Sequence, residues 1–86
     1  MDVREADEFA YIHLKNAYSV PLSQLMHGLP DLPKDLPWVV LCQQGGRSRK
    51  AIQYIQEVEP QVQLLNLEGG LSEWINRVGK HYLITT

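Results

Sequence analysis

The sequence predicts an α/β fold in which a small, mostly parallel sheet is flanked by helices on both faces. Short apolar runs alternate with segments whose apolar residues recur at helical spacing, which is the pattern of strand–helix–strand units. The run at residues 38–41 is wholly apolar, as expected for a strand buried on both faces. With 86 residues the chain has room for one modest core, and we therefore predict a single domain over residues 1–86.

The first half of the chain contains one strand end, two helices and one extended segment. Residues 1–3 have the pattern of a strand end but are too short to cross a sheet, so the first strand of this α/β domain is predicted to be shortened or lacking. The following elements are a helix over residues 5–11, an extended segment over 17–20 that ends at Pro21, and a helix over 22–29. Asp2 or Arg4 is expected near the start of the first helix, and both are expected to make structural polar contacts near the strand end.

The second half follows a proline-containing loop over residues 31–37. Its predicted elements are a strand over residues 38–41, a helix over 48–58, a strand over 62–67, a helix over 71–78 and an extended piece over 82–85. The apolar stripe of the first of these helices consists of Ala51, Ile52, Ile55 and Val58. A glycine pair at residues 69–70 predicts a tight turn before the second.

Composition argues against several classes of function. The formal net charge of −2 argues against nucleic acid or an anionic membrane as a partner. The single cysteine cannot form an internal disulfide, and no apolar stretch approaches the roughly 18 residues of a membrane-spanning helix. We therefore expect a cytoplasmic protein. The cysteine and three histidines show no metal-ligand spacing, so no metal and no other cofactor is expected.

Cys42 is the strongest indication of function, because it lies between an apolar strand and a helical pattern. A thiol on such a turn is surrounded by backbone N–H groups at the positive end of a helix dipole, and both features lower its pKa. Cys42 is the predicted nucleophile, and the predicted loop around it consists of Gln43, Gln44, Gly45, Gly46, Arg47 and Ser48. This chemistry requires the thiol to lie outside the core with the N–H groups facing it. The alternative is a buried structural cysteine.

Four segments together resemble the rhodanese (sulfurtransferase) family over nearly the whole chain. They are residues 2–4 with Glu8 and Phe9, residues 13–17 followed by Pro21, residues 42–48, and residues 67–71 followed by Trp74. The chain departs from the family pattern at Ile12 and Asn16, which replace glycines, and at Gln43, which replaces an arginine found in many members. The resemblance implies a rhodanese-like fold with Cys42 as the sulfur carrier.

The resemblance also implies a two-step transfer through a persulfide on Cys42. A small anionic donor, thiosulfate or another persulfide, would give its sulfane sulfur to Cys42, and cyanide, a thiol or another protein would accept it. Arg47 would bind the anionic donor or brace the loop. Ser48 would hydrogen-bond the sulfur or cap the helix.

Other functions stay open beside this one. The chain is alternatively a non-catalytic interaction module that keeps the fold, or a relay that passes sulfur from protein to protein through the same persulfide. Tyrosine phosphatases and arsenate reductases also use a cysteine–arginine loop. The phosphatase loop has one more residue between its cysteine and arginine than the four found here, which suits a tetrahedral phosphate rather than one sulfur atom.

Overall fold

The computed structural model describes residues 1–31, 33 and 35–85, in which short helices and strands alternate. In chain order they are α1 (Ala6–Tyr11), β1 (Ile12–Leu14), α2 (Leu22–Leu25), β2 (Trp38–Val40), α3 (Gly46–Val58), β3 (Leu64–Asn66), α4 (Gly70–Val78) and β4 (Leu83–Thr85). The predicted loop over residues 31–37 lies partly outside the described residues. Within those ranges, no helix has the length and apolar character needed to cross a membrane.

The central sheet is parallel, and β2 lies inside it. The register between β2 and β3 is Trp38↔Leu64, Val39↔Leu65 and Val40↔Asn66. On the other side, Asp2 forms parallel bridges with both Leu41 and Ser19. The order across the sheet is therefore Ser19, Asp2, β2 and β3. Cys42 follows the carboxyl end of an interior strand, which is where open parallel sheets bind their ligands.

A second, antiparallel pair joins β1 to β4, with His13 opposite Ile84. The extended piece predicted at residues 82–85 thus corresponds to β4, but the sequence analysis missed β1. The three residues of β1 are all half-buried and too few to show a clear alternating pattern. This strand is defined by its distant partner rather than by its local sequence.

Helices cover both faces of the parallel sheet, as predicted. On one face, α2 and α3 enclose the first core cluster, which contains Met1, Val3, Leu25, Val40, Cys42, Ala51, Ile55 and Val62. On the other face, α4, β1 and β4 contribute to the second core cluster, whose buried members are Leu41, Leu71 and Leu83. Val40 and Leu41 belong to different clusters because successive residues of an extended chain point to opposite faces.

The predicted burial of the strand at residues 38–41 was wrong for Val39. This side chain is 45% exposed, and its neighbour Leu65 on β3 is 58% exposed. The second core cluster includes Leu41 but not Val39, so its cover extends only over the carboxyl end of the strand. The apolar run therefore predicted the strand correctly, but fewer of its side chains are buried by neighbouring elements than the run suggested.

Helix α1 begins at Ala6, one residue after the predicted start, and Arg4 lies close to this start as expected. Its N-cap is Glu5, and the side chains of Glu5 and Glu8 form a reciprocal capping box with each other's backbone N–H groups. Asp2 and Arg4 do not cap this helix, because they are engaged with each other in the interior. Glu5 and Glu8 are therefore the sequence signal that marks the start of this helix.

Three other helix boundaries also differ from the predictions, and the smallest difference is at α4, which begins at Gly70 rather than at residue 71. Helix α2 ends at Leu25 rather than at residue 29, because the amides of His27 and Gly28 bond to carbonyls three residues back, which tightens the chain into a turn. Helix α3 begins at Gly46, two residues before the predicted start. Its N-cap is Gly45 with a φ of 112°, a conformation that favours glycine.

Candidate active-site loop

The start of α4 is docked onto the main chain of the Cys42 loop. The amide of Leu71 donates to the carbonyl of Cys42 at 2.8 Å, and the amide of Ser72 donates to the carbonyl of Gln43 at 3.0 Å. These helix N-terminal amides need acceptors outside the helix, and the loop supplies them. The close approach requires Gly70, because a Cβ there would lie 2.5 Å from the Gln43 carbonyl oxygen.

Replacing Gly70 with alanine should lower the free energy of unfolding by about 2–3 kcal/mol. The φ of Gly70 is 64°, and the added methyl group would collide with backbone atoms of Gln43 and Cys42. Gly46→Ala is the matched control, because its Cβ would meet no atom within 4 Å. Urea unfolding of both variants measures the difference. Equal, small losses in the two variants would contradict the close contact.

The sulfur of Cys42 lies among hydrogen-bonding groups. The amide of Gly45 donates to Sγ at 3.0 Å, and Sγ lies 3.5 Å from the hydroxyl oxygen of Ser48. Burial raises the pKa of the Cys42 thiol, but the Ser48 hydroxyl and the amides of Ser48, Gly45 and Gln44 together hold it below its ordinary value. The loop therefore favours the thiolate, which is the nucleophilic form of cysteine.

Cys42 is nevertheless buried, with 1% of the residue exposed. The expectation that this thiol lies outside the core was wrong, because Cys42 is a member of the first core cluster. Alternate residues of an extended chain point to the same side, and Val40, two residues earlier, faces that cluster. A sulfur donor therefore reaches Sγ only if part of the loop moves aside.

The remaining loop residues form the turn and its rim. Gly45 is buried, whereas Gln44 and Gly46 are exposed. Gln43 is half-buried, and its Nε2 donates to the hydroxyl oxygen of Ser72 at 2.8 Å. The side chain of Gln43 is thus tied to the start of α4, next to the main-chain contacts that dock this helix.

A buried ion pair between Asp2 and Arg4 also reaches the loop. The Arg4 guanidinium donates to both Asp2 carboxylate oxygens, with the shortest contact at 2.8 Å, and the two side chains are 2% and 0% exposed. Arg4 also donates to the carbonyl of Ile12 at 2.6 Å and to Oε1 of Gln43 at 3.4 Å. The predicted polar contacts at the strand end are therefore present, and Arg4 links them to the loop.

Arg47 braces the loop against α1. Its guanidinium donates to both carboxylate oxygens of Glu8, at 2.5 Å and 3.0 Å, in a two-pronged ion pair. The hydrogen bonds from Arg47 hold the pKa of Glu8 far below its usual range, at about 2. The two roles expected for Arg47 were binding of an anionic donor and bracing of the loop, and the observed contact with Glu8 corresponds to bracing.

Replacing Glu8 with glutamine should lower the free energy of unfolding near pH 7 by about 1 kcal/mol or less, because the pair is partly exposed to solvent. Glutamine retains an oxygen for the capping contact to the Glu5 amide and removes the charge. The folded-state pKa of Glu8 is depressed, so its stabilising effect is full above about pH 5 and is lost as the pH falls towards 2. Unfolding at several pH values should show the two proteins converging in acid. A constant difference would contradict the assignment.

Asn66, which was not singled out in the sequence, connects the surroundings of the sulfur to Glu68. The Ser48 hydroxyl donates to Oδ1 of Asn66 at 2.5 Å, and Nδ2 of Asn66 donates to Oε1 of Glu68 at 3.2 Å. Asn66 ends β3, the strand beside β2. A polar residue at the carboxyl end of a neighbouring apolar run was the signal that could have identified it.

The fold and the site define a class of protein, namely small α/β domains with a cysteine loop at the carboxyl end of a parallel strand. Comparison with known proteins identifies the family within this class. The family model described as the rhodanese-like domain matches residues 1–77. The chain belongs to this family, which confirms the resemblance seen in the sequence.

Relatives of known sequence and structure agree with this assignment. "Adenylyltransferase and sulfurtransferase MOCS3" of Drosophila grimshawi is 33% identical over 91 residues, which cover 98% of this chain and 20% of that protein. "Uncharacterized protein YqhL" of Bacillus subtilis is 33% identical over 78 residues, which cover 91% of this chain and 61% of that protein. The crystal structure of a rhodanese-related protein from Thermoplasma volcanium superposes with a TM-score of 0.83 at 26% identity, covering 100% of this chain and 82% of that one. The chain thus spans only about a fifth of the MOCS3 sequence.

Proposed function

We propose that this domain is a sulfurtransferase in which Cys42 carries a sulfane sulfur as a persulfide. The observation that carries the proposal is the environment of the sulfur, where the Gly45 amide at 3.0 Å and the Ser48 hydroxyl favour the thiolate in spite of burial. Of the two requirements stated from the sequence, N–H groups facing the sulfur are present, but the thiol lies in the core, so the proposed transfer also requires the loop to open around the sulfur. Membership of the rhodanese-like domain family and the sulfurtransferase named among the relatives support a role of this kind.

The proposed reaction has two displacements at sulfur. In the first, the Cys42 thiolate attacks the outer sulfur of thiosulfate, the new S–S bond forms, and the bond to the sulfonate sulfur breaks so that sulfite leaves with its electron pair. In the second, cyanide or a thiolate attacks the terminal sulfur of the persulfide. The S–S bond then breaks, and the electron pair returns to Cys42 as thiolate. Main-chain N–H groups of the loop stabilise the anionic sulfur at both stages.

The contacts of the loop bear on the donor and the acceptor. Arg47 is paired with Glu8, and Gln43 is neutral and tied to Ser72, so the amides are the main attraction for the anionic sulfur. We propose a small anionic sulfur donor and a thiol or a protein as acceptor, with neither nucleic acid nor a membrane as partner. A cytoplasmic location stays a prediction.

Intact-mass spectrometry tests the proposal directly. The wild-type chain is incubated with thiosulfate and, separately, with a low-molecular-weight persulfide, and its mass should rise by about 32 Da. Cyanide added afterwards should remove the extra mass and release thiocyanate. Absence of a mass gain from every donor, in a chain shown to be folded, would overturn the proposal.

A second candidate function is a non-catalytic interaction module that retains the fold. The 1% exposure of Cys42 is the observation that favours it, because a buried thiol is usually a small packed side chain. The rate of alkylation measured against pH separates the two candidates. A thiol pKa near the free value of about 8.5 favours the module, and a clearly lower pKa favours the sulfur carrier.

A further inference from the structure

A chain of hydrogen bonds leads from the buried sulfur to the protein surface. It runs from Sγ of Cys42 to the Ser48 hydroxyl at 3.5 Å, and from that hydroxyl to Oδ1 of Asn66 at 2.5 Å. The Nδ2 group of Asn66 then donates to Glu68 at 3.2 Å, and Glu68 is paired with Arg49 at 2.7 Å. Ser48 is fully buried, whereas Glu68 and Arg49 are exposed.

Two contacts fix the orientation of the Asn66 amide. Its nitrogen must face Glu68, because a carboxylate accepts hydrogen bonds and cannot donate them. Its oxygen therefore faces Ser48, and the 2.5 Å separation suits an O–H···O contact better than an N–H···O contact. The Ser48 hydroxyl has a single hydrogen, and the carbonyl of Gly45 at 2.9 Å is its other acceptor.

We propose that Asn66 is a positioning residue that controls whether the Ser48 hydroxyl hydrogen is available to the sulfur of Cys42. This inference rests on the proposed function, since it concerns the activation of the same nucleophile. In the thiol form, the sulfur can donate to Ser48 while Ser48 donates to Asn66. In the thiolate form, the hydroxyl must rotate towards the sulfur and give up its contact with Asn66.

The consequence is a competition for one hydrogen between the anionic sulfur and two oxygens, of which the Asn66 amide oxygen at 2.5 Å is closer than the Gly45 carbonyl at 2.9 Å. Burial raises the pKa of Cys42, and the Ser48 side chain is the strongest of the contacts that lower it. An acceptor that binds the Ser48 hydrogen more tightly should raise the thiol pKa. Removal of the acceptor should lower it. Asn66 thereby limits how much thiolate the loop holds.

The test compares two replacements of nearly equal size at position 66. Asn66→Leu removes the acceptor, and Asn66→Asp replaces it with a stronger, charged one. The readout is the rate of iodoacetamide alkylation against pH, which reports the pKa of Cys42 without requiring sulfur transfer. We expect the pKa to fall in Asn66→Leu and to rise in Asn66→Asp. Shifts of half to one unit correspond to roughly threefold to tenfold changes in thiolate fraction at pH values well below the pKa.

Shifts of the Cys42 pKa in opposite directions are the discriminating result, because a merely structural role of Asn66 would shift this pKa in the same direction in both variants. A shift of equal sign, or none in either variant, would overturn the proposal. Asn76→Leu and Asn76→Asp, on an exposed position of α4, are the matched controls and should leave the pKa unchanged. Should Asn66→Leu fail to fold, Asn66→Ala removes the same acceptor and carries the same expectation.

A Ser48→Ala background tests the route of the effect. There, Asn66→Leu should no longer change the thiol pKa, because the hydroxyl that links the two residues is gone. A shift of undiminished size in that background would also overturn the proposal. The proposed function fails separately, through the absence of a mass gain in the wild-type chain.

Discussion

Replacing Cys42 with serine should abolish sulfur loading completely. A serine hydroxyl stays protonated near neutral pH and cannot form a persulfide, so the gain of about 32 Da seen with the wild-type chain should be absent. The fold should survive, because serine is close in size to cysteine and its hydroxyl can take over contacts with the Gly45 amide and with Ser48. The measurements are intact mass after exposure to thiosulfate and thiocyanate release on addition of cyanide.

Relocating the only thiol gives a sharper control for this variant. In Cys42→Ser with Ala10→Cys, the sole cysteine lies on an exposed position of α1, away from the amides of the loop. This protein should be alkylated with an ordinary thiol pKa and should load sulfur far more slowly than the wild type. Equal loading from both positions would show that the loop contributes nothing beyond a thiol, and the proposed role of its amides would be wrong.

The position of the proposed nucleophile was predictable because it depends on neighbours in sequence. The strand β2, the turn and the helix α3 follow one another within residues 38–58, so an apolar run, two glycines and a helical stripe were enough to place Cys42 at a strand end. The asparagine at position 16, where the rhodanese pattern has glycine, also has a local explanation. Asn16 has a φ of 65°, a left-handed conformation that asparagine tolerates better than most residues.

The contacts that set the chemistry were not predictable, because they join residues far apart in sequence. Arg47 and Glu8 are separated by 39 positions, and Ser48 and Asn66 by 18. A single sequence shows the residue types but not which of them meet, and the strand β1 was missed for the same reason. The burial of Cys42 also depends on the assembled faces of the sheet, which no local pattern reports.

Replacing Arg4 with methionine should lower the free energy of unfolding by about 3–5 kcal/mol. The change leaves the Asp2 carboxylate fully buried without its guanidinium partner, and the exposure of Asp2 is 0%. It also removes the hydrogen bonds from Arg4 to the Ile12 carbonyl and to Gln43. Methionine fills similar apolar volume, so the loss measures charge and hydrogen bonding rather than a cavity. Urea unfolding gives the free energy.

The same substitution elsewhere in the chain separates this effect from loss of an ordinary ion pair. Arg77 pairs with Glu73 on the exposed side of α4, where solvent screens the charges, so Arg77→Met should change stability little.

The double variant Asp2→Leu with Arg4→Met should recover part of the loss, because it removes the Asp2 charge that Arg4→Met alone leaves buried without a partner. If the double variant is instead less stable than Arg4→Met by the full effect of Asp2→Leu alone, the two residues act independently. In that case the contacts of Arg4 with β1 and the loop, rather than its pairing with Asp2, hold this end of the sheet together.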